Sequence, residues 1–484
     1  MSEKYDVIII GAGIGGLVCG CYLAKAGLKV LIVEKENAVG GYCGSFKRNG
    51  FAFDIGVHYL GGIKNGCLGK ILNELGIQRE LAFNRFDPSD MIVMPKHVVF
   101  IRSDVNDTIS GIIKSFPYEK SNIKNFFKFI LDSDFVYIYS KAKKLSFKKL
   151  LNTFFRDQKL KATLEILLGN MGVSSNKASA ISAILLFREF LSDSGWYPKG
   201  GVHMFPDSLA KFFKSCNGEI KLSNKVQAIL TNNSKATGVI LEDGEKLRAR
   251  VIVSNADATL TFNKLLRIDS RERQKATELD KTPSIFAVYI GLKENAAKLA
   301  KQSATIWYAT TYNIEDCYSD IDQVMDPDRR LKYLICTFPS SHDFNDANKT
   351  TVELFTAAPF GSLSNWNQYR NYLMSRMIKK AEKVIPFLKN NIEIAINATP
   401  HTFYRYTNNS EGSAYGWVPI TELITKPKFL NRTSIKNLYL SGHWCNGALS
   451  QGGISQVSVS GRASAQLITQ DLGLKWAYKY SVLL

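Results

Sequence analysis

The spacing of apolar residues changes several times along this chain, and each change marks an element. Tyr5–Ile10 (YDVIII) is a short β-branched run ending at a glycine, the pattern of a strand buried on both faces of a parallel sheet. Gly15–Ala26 reads as a helix, closed by Gly27 just past its end. Leu28–Glu34 (LKVLIVE) is a second strand, and the three pieces make a βαβ unit. The segment Val7–Ala24 is almost uncharged and about as long as a membrane span. Five of its residues are glycines, four of them within Gly11–Gly16. Each weakens a lone helix by roughly 1 kcal/mol, so the segment reads as strand, turn and helix.

From Leu81 to about Phe190 glycines thin out and aromatics and lysines take over. Asn125–Leu151 is helical or mixed, with an apolar and a basic face. Strand-like alternation returns over Glu219–Val253, with a turn at Glu242–Asp243–Gly244. Val251–Asp257 (VIVSNAD) runs into another helix. Ser284–Leu292 and Leu331–Phe338 read as strands of a second sheet, and Gln368–Val384 as an amphipathic helix. Asn437–Ser441 is one more buried strand, followed by a Gly-rich turn and a helix from about Ile454 to Leu472. No repeat at a fixed period occurs.

The first chemical signal lies in the βαβ unit. Gly11-Ala12-Gly13-Ile14-Gly15-Gly16 fits G-x-G-x-x-G, follows a strand, opens a helix, and precedes Glu34 at the end of the next strand. Gly11 permits the tight turn, Gly13 admits a close diphosphate, and Gly16 lets helix and strand pack. The helix N-terminus aims free N–H groups and its positive dipole end at that anion. Glu34 suits a ribose diol and disfavours a 2′-phosphate, so NADP does not suit this site.

The continuation narrows the cofactor. Ala38–Asp54 followed by Ile55-Gly56-Val57-His58, the Tyr197–Gly201 loop (YPKGG), Asn224–Val226 with Ser254–Asp257, Gly412–Trp417 (GSAYGW), and Leu440–Gly442 with Gly452–Gly461 occur in order along the chain. Together they resemble the flavin amine-oxidase and phytoene-desaturase superfamily, and within it the branch of phytoene desaturases, carotenoid isomerases and retinol saturases. The turn His443–Gln451 departs from that pattern in lacking the usual proline before the glycines, so the resemblance does not carry over the family's flavin contacts, or its substrate, at that turn.

The resemblance implies FAD as cofactor and an α/β fold: a Rossmann-type FAD-binding domain, a parallel sheet with helices, plus an α+β substrate domain with a mixed sheet and an inserted helical region. The FAD domain is expected in three pieces, 1–80, 200–260 and 430–475. Residues 81–199 form the largely helical, membrane-facing insertion, and 261–429 the substrate domain. By motif position the FAD contacts are Gly11, Gly13, Ile14, Gly15 and Gly16, then Glu34 and Lys35, then Gly40 and Gly41. Gly56, Val57 and His58 follow, then Val226 and Asn255, and finally Gly442, Gly453, Ile454 and Val457. The helix starting near Ile454 is expected to face the flavin pyrimidine ring.

Acid–base candidates are few. His58 follows the flavin-side glycine, and a polar residue bonded to backbone is its plainer reading. Tyr415 and Trp417 are offered as cavity-lining aromatics or as core. His443 and Cys445 stand beside the C-terminal loop, and Glu411 is a base or a solvated surface group. No Ser/His/Asp triad or metal cluster emerges.

Composition then adds a partner. The formal net charge is +19 at pI ≈ 9.4, which attracts anions. No nucleic-acid module is present, so the basic, aromatic Asn125–Leu151 stretch and Trp476–Leu484 are read as interfacial elements for an anionic membrane surface, or as a core helix with solvated lysines. The eight cysteines form no C-x-x-C pair and suit a reducing compartment. The expected protein is a cytoplasmic, peripherally membrane-associated FAD oxidoreductase that desaturates, isomerises or saturates carbon–carbon bonds of a long apolar isoprenoid. The alternatives are the same chemistry on an acyl lipid or an amine, and a non-catalytic FAD- and lipid-binding protein.

Overall fold

Two seven-stranded sheets organise the chain. The computed structural model describes residues 5–64, 66–293, 303–319, 324, 326, 331–339, 350–386, 388–445 and 453–478. In the first sheet Tyr5–Ile10 lies parallel between Val30–Val33 and Lys246–Ser254, with Val7 level with Val30 and Val251. Glu219–Lys221 extends it in parallel on one side. Leu438–Leu440 joins the far end of Lys246–Ser254 in parallel, and an antiparallel ribbon, Val226–Asn232 and Lys235–Leu241, pairs with its near end. The central strands carry Val and Ile almost without interruption because helices cover both faces.

One of those helices, Ile14–Lys25, is buried along nearly its whole length. It packs closely on the Ile454–Asp471 helix through glycine: a Cβ on Gly461 would lie 2.4 Å from the Gly15 carbonyl oxygen.

The second sheet runs Ile392–Ala398, Ser284–Leu292, Thr351–Ala358, Tyr333–Thr337, Thr305–Ala309, Asp90–Val93, Val98–Ile101. It is antiparallel except where Thr305–Ala309 meets Asp90–Val93 in parallel. The segment 81–199 is therefore helical only after it has given two strands to this sheet's edge. Those helices have legible starts: Asp104, Asp134, Ser146, Asp157 and Ser179 each accept a backbone N–H of the first turn. The Asn125–Leu151 stretch is three helices, Lys120–Asp132, Phe135–Ala142 and Phe147–Phe154. Its Phe126, Phe127 and Phe147 turn into the core, while Val136 and Tyr137 stay exposed. Among the described residues no helix is long and apolar enough to cross a membrane. Trp476 packs on Tyr22, and 479–484, the rest of the expected C-terminal interfacial segment, lie outside the described residues.

A polar cluster joins the two sheets. Tyr197 donates its hydroxyl to Asp54 Oδ2 at 2.6 Å, and the Asp54 N–H donates to Glu353 Oε1 at 2.7 Å. Burial, with Asp54 alongside, pushes the Glu353 carboxyl well above the ordinary range. Asp54 thereby braces the hairpin Ser45–Arg48/Phe51–Asp54 against the second sheet.

Candidate functional site

The glycine-rich turn leaves the end of the first strand with Gly11 at φ +97°, a conformation open to glycine at little cost. A Cβ on Gly16 would lie 2.3 Å from the Gly11 carbonyl oxygen, so Gly16 serves helix–strand packing. Gly13 and Gly15 make room for something else. Their Cβ atoms would lie 2.9 and 2.7 Å from the Asn255 carboxamide, and one on Gly442 would lie 2.6 Å from its oxygen. Asn255 thus sits where the N-terminal, middle and C-terminal segments meet, with its N–H on Ile10 O at 2.9 Å.

The Ile14–Lys25 helix opens at Gly13 with no side chain capping it, and the Ile454–Asp471 helix opens in the same way at Gly453. Both starts line one cavity of about 290 Å³. Glu34 accepts from Ala12 N at 2.7 Å and from Glu36 N at 2.9 Å, which fixes its carboxylate at the cavity wall. Burial raises its pKa, while these amides and Lys35 oppose the rise.

The motif residues converge on this cavity: every expected FAD contact lines it except Gly16. Lys35 does so while bound to Glu36 at 2.6 Å and to Arg405 O at 2.8 Å. Residues 446–452, the unusual part of the C-terminal turn, lie outside the described residues.

The acid–base candidates separate. His58, Tyr415 and His443 line the cavity. Burial lowers both imidazoles to about 4, with an Asn170 hydrogen bond opposing this at His58, so both are neutral at neutral pH. Burial raises the Tyr415 hydroxyl far above its usual range. Trp417 does not reach the cavity: it is fully buried, stacked on Phe429 with 5.0 Å between ring centres, and its indole N–H donates to Trp444 O at 3.0 Å. Gly416, at φ +80°, turns the chain between Tyr415 and Trp417 so that the two rings enter different environments. Glu411 is an exposed partner of Lys281 at 3.0 Å, and Cys445 is buried in the core beside Trp444; neither lines the cavity.

Among the lining residues that sequence reasoning did not single out are Asn170 and Glu189. Glu189 is on the Ala180–Asp193 helix, and its signal was a carboxylate beside Arg188 in a stretch whose other members, Leu185 to Phe187 with Phe190 and Leu191, are apolar.

The cavity fits a dinucleotide of the FAD type on two counts. Two helix starts without a side-chain cap open on it, and the buried His443 Nε2 has no hydrogen-bond partner among the described residues. The flavin containing amine oxidoreductase family matches residues 14–469. The chain belongs to this family. It is therefore an FAD-dependent oxidoreductase. Among curated relatives of this flavin family member, it is 27% identical to a chloroplastic prolycopene isomerase of Daucus carota, over 98% of this chain and 81% of that one. It is 24% identical to an all-trans-retinol 13,14-reductase of Danio rerio, over 91% and 83%. Both relatives stand in the branch that the motifs resemble. Among solved structures, an oxidoreductase of Methanosarcina mazei superposes with TM-score 0.68 at 16% identity, over 95% of this chain and all of that one. A putrescine oxidase variant does so with TM-score 0.66 at 14% identity, over 97% and 99%. These two likenesses establish the FAD amine-oxidase fold.

Proposed function

We propose that this oxidoreductase acts on carbon–carbon bonds of a long apolar isoprenoid, desaturating, saturating or isomerising them. The observation that carries the reading is the cavity's makeup. Beyond the nucleotide segments its wall includes Met171, Leu186, Phe190, Ile285 and Tyr415 beside the polar Asn170 and Glu189, and the apolar members offer a surface able to hold a hydrocarbon chain. The prolycopene and retinol relatives support the same substrate class.

The chain's own residues divide the work. The Gly11–Gly16 turn and the start of the Ile14–Lys25 helix would hold the diphosphate, Glu34 would hold the ribose, and the start of the Ile454–Asp471 helix would favour negative charge on the flavin. His443 Nε2 is free to bond to the cofactor, and the neutral His58 adds no charge to the chamber. When bound, FAD accepts or returns a hydride. The apolar wall orients the substrate and keeps water from the reacting carbons.

A water-insoluble substrate needs a docking surface. The exposed Val136 and Tyr137, with Lys141, Lys143 and Lys144 close by in sequence, offer one to an anionic membrane.

The test is to purify the protein from a detergent-solubilised membrane fraction, record its absorbance, and extract what is bound. A flavin spectrum with a polyene or other isoprenoid supports the reading. A flavin with only acyl lipid, or with an amine turned over in its place, contradicts it.

A further inference from the structure

We propose that Glu189 is the proton-carrying catalytic residue of this cavity, giving or taking the proton that balances hydride exchange at the substrate carbons; this rests on the reading just given. Leu186, Glu189 and Phe190 stand at i, i+3 and i+4 of the Ala180–Asp193 helix, so they share one face, and all three line the cavity. That places one carboxyl group within the apolar wall against which a hydrocarbon would lie. The neighbouring Arg188 does not neutralise it: its guanidinium turns away to the carbonyls of Ile130 and Ser133.

The surroundings serve both protonation states. Ser455, in the first turn of the Ile454–Asp471 helix, has its Oγ 2.7 Å from Glu189 Oε1 and 3.1 Å from the Gly61 carbonyl oxygen. A hydroxyl has one proton to give. It donates to Glu189 when that group is a carboxylate. When Glu189 carries the proton, Ser455 accepts from it and donates to Gly61. The helix start also favours the anion, and Gln456 adds a side-chain hydrogen bond. Gly61 holds the carboxyl close, since a Cβ there would lie 2.6 Å from Oε1.

The other ionisable groups facing Glu189 are Asp193 on its own helix, Tyr59, and Cys67 on the Cys67–Leu75 helix. Burial holds Tyr59 and Cys67 in their protonated forms, and His58 is neutral. Burial, with Asp193 adding to it against the Ser455 and Gln456 bonds, raises Glu189 to about 7, near the optimum for exchanging protons at neutral pH.

The step balances in either direction. In saturation one alkene carbon gains the hydride supplied by reduced FAD and its neighbour gains the Glu189 proton, leaving a carboxylate. In desaturation one C–H bond gives up a hydride to oxidised FAD, and the Glu189 carboxylate takes the hydrogen of the adjacent carbon as a proton.

The test uses the FAD-loaded full chain, its Glu189→Gln and Ser455→Ala variants, and all-trans-retinol and prolycopene in detergent as probes. Infrared spectra without substrate should show a protonated-carboxyl band that fades as pH rises through about 7 and is absent from E189Q. E189Q should load FAD normally, turn over about 100-fold more slowly or worse, and lose the pH limb near neutrality. S455A should keep the limb and move it upward, since the carboxylate loses a donor. An active wild type with E189Q unchanged in rate and pH profile removes Glu189 from the chemistry and leaves the substrate reading standing. A wild type that holds FAD but acts on neither probe overturns both. Should E189Q fail to fold, the absence of a carboxyl band titrating near 7 in the wild type overturns the assignment.

Discussion

The side-chain oxygen of Asn255 occupies the space that a Cβ on Gly442 would need, 2.6 Å away. The same carboxamide closes off Gly13 and Gly15, so one middle-segment residue pins the first and last thirds of the nucleotide site together. Gly442 also sits at φ +89°. Gly442→Ala should therefore lose FAD while a folded apo-protein survives, visible as a colourless protein with a cooperative melt. Gly16→Ala, whose Cβ would lie 2.3 Å from the Gly11 carbonyl oxygen as well as 3.1 Å from the Asn255 carboxamide, should also lower the melting temperature.

Glu34 holds the turn through Ala12 N and Glu36 N. Removing a charged acceptor of this kind costs about 1.5–3 kcal/mol. Glu34→Ala should weaken FAD binding by roughly 10–100-fold, read by flavin fluorescence titration of the apo-protein.

Tyr197 and Asp54 sit in the seam between the sheets, away from the cavity wall. Tyr197→Phe should cost about 1.5–3 kcal/mol of stability, measured by denaturant unfolding, with FAD loading unchanged at saturating cofactor. A loss of FAD affinity at equal stability would instead place this pair in the cofactor site.

The two cavity imidazoles set an acid limit. Each titrates at about 4 in the fold against an ordinary 6.5, so the folded state binds fewer protons than the unfolded chain between those values. Their stabilising contribution is full above 6.5 and is lost as pH falls toward 4. Melting temperature should fall over that window, and His443→Asn should flatten the fall.

The membrane reading turns on two exposed side chains. Val136→Asp with Tyr137→Asp should weaken co-sedimentation with vesicles rich in anionic lipid and leave the melt unchanged, because neither residue contributes to the core. Binding that persists would move the docking surface elsewhere.

The nucleotide site was legible because its requirements are local: glycines where backbone must approach closely, and an acid at a strand end. Those constraints survive in a linear string even when the three pieces lie far apart in the chain. Glu189 carried no motif, and its meaning depends on Ser455, which folding alone brings beside it. Tyr415 and Trp417 were open to cavity and core alike in the sequence, because the turn at Gly416 decides which way each ring goes. The strand Asp90–Val93 was hidden within a helical region since its parallel partner, Thr305–Ala309, is distant in sequence, and Val98–Ile101 joins the sheet through Asp90–Val93. The aromatics of Asn125–Leu151 fitted a membrane face and a core equally well by periodicity, and Phe126, Phe127 and Phe147 went to the core.

The most direct test of the central claim is anaerobic incubation of the FAD-loaded protein with prolycopene or all-trans-retinol in detergent, with the cofactor first oxidised and then reduced, followed by chromatography of the extracted isoprenoid. A product differing by two hydrogens or by double-bond geometry, formed only with FAD present, is the predicted result. Unchanged isoprenoids in both cofactor states, with the flavin spectrum intact, would contradict it.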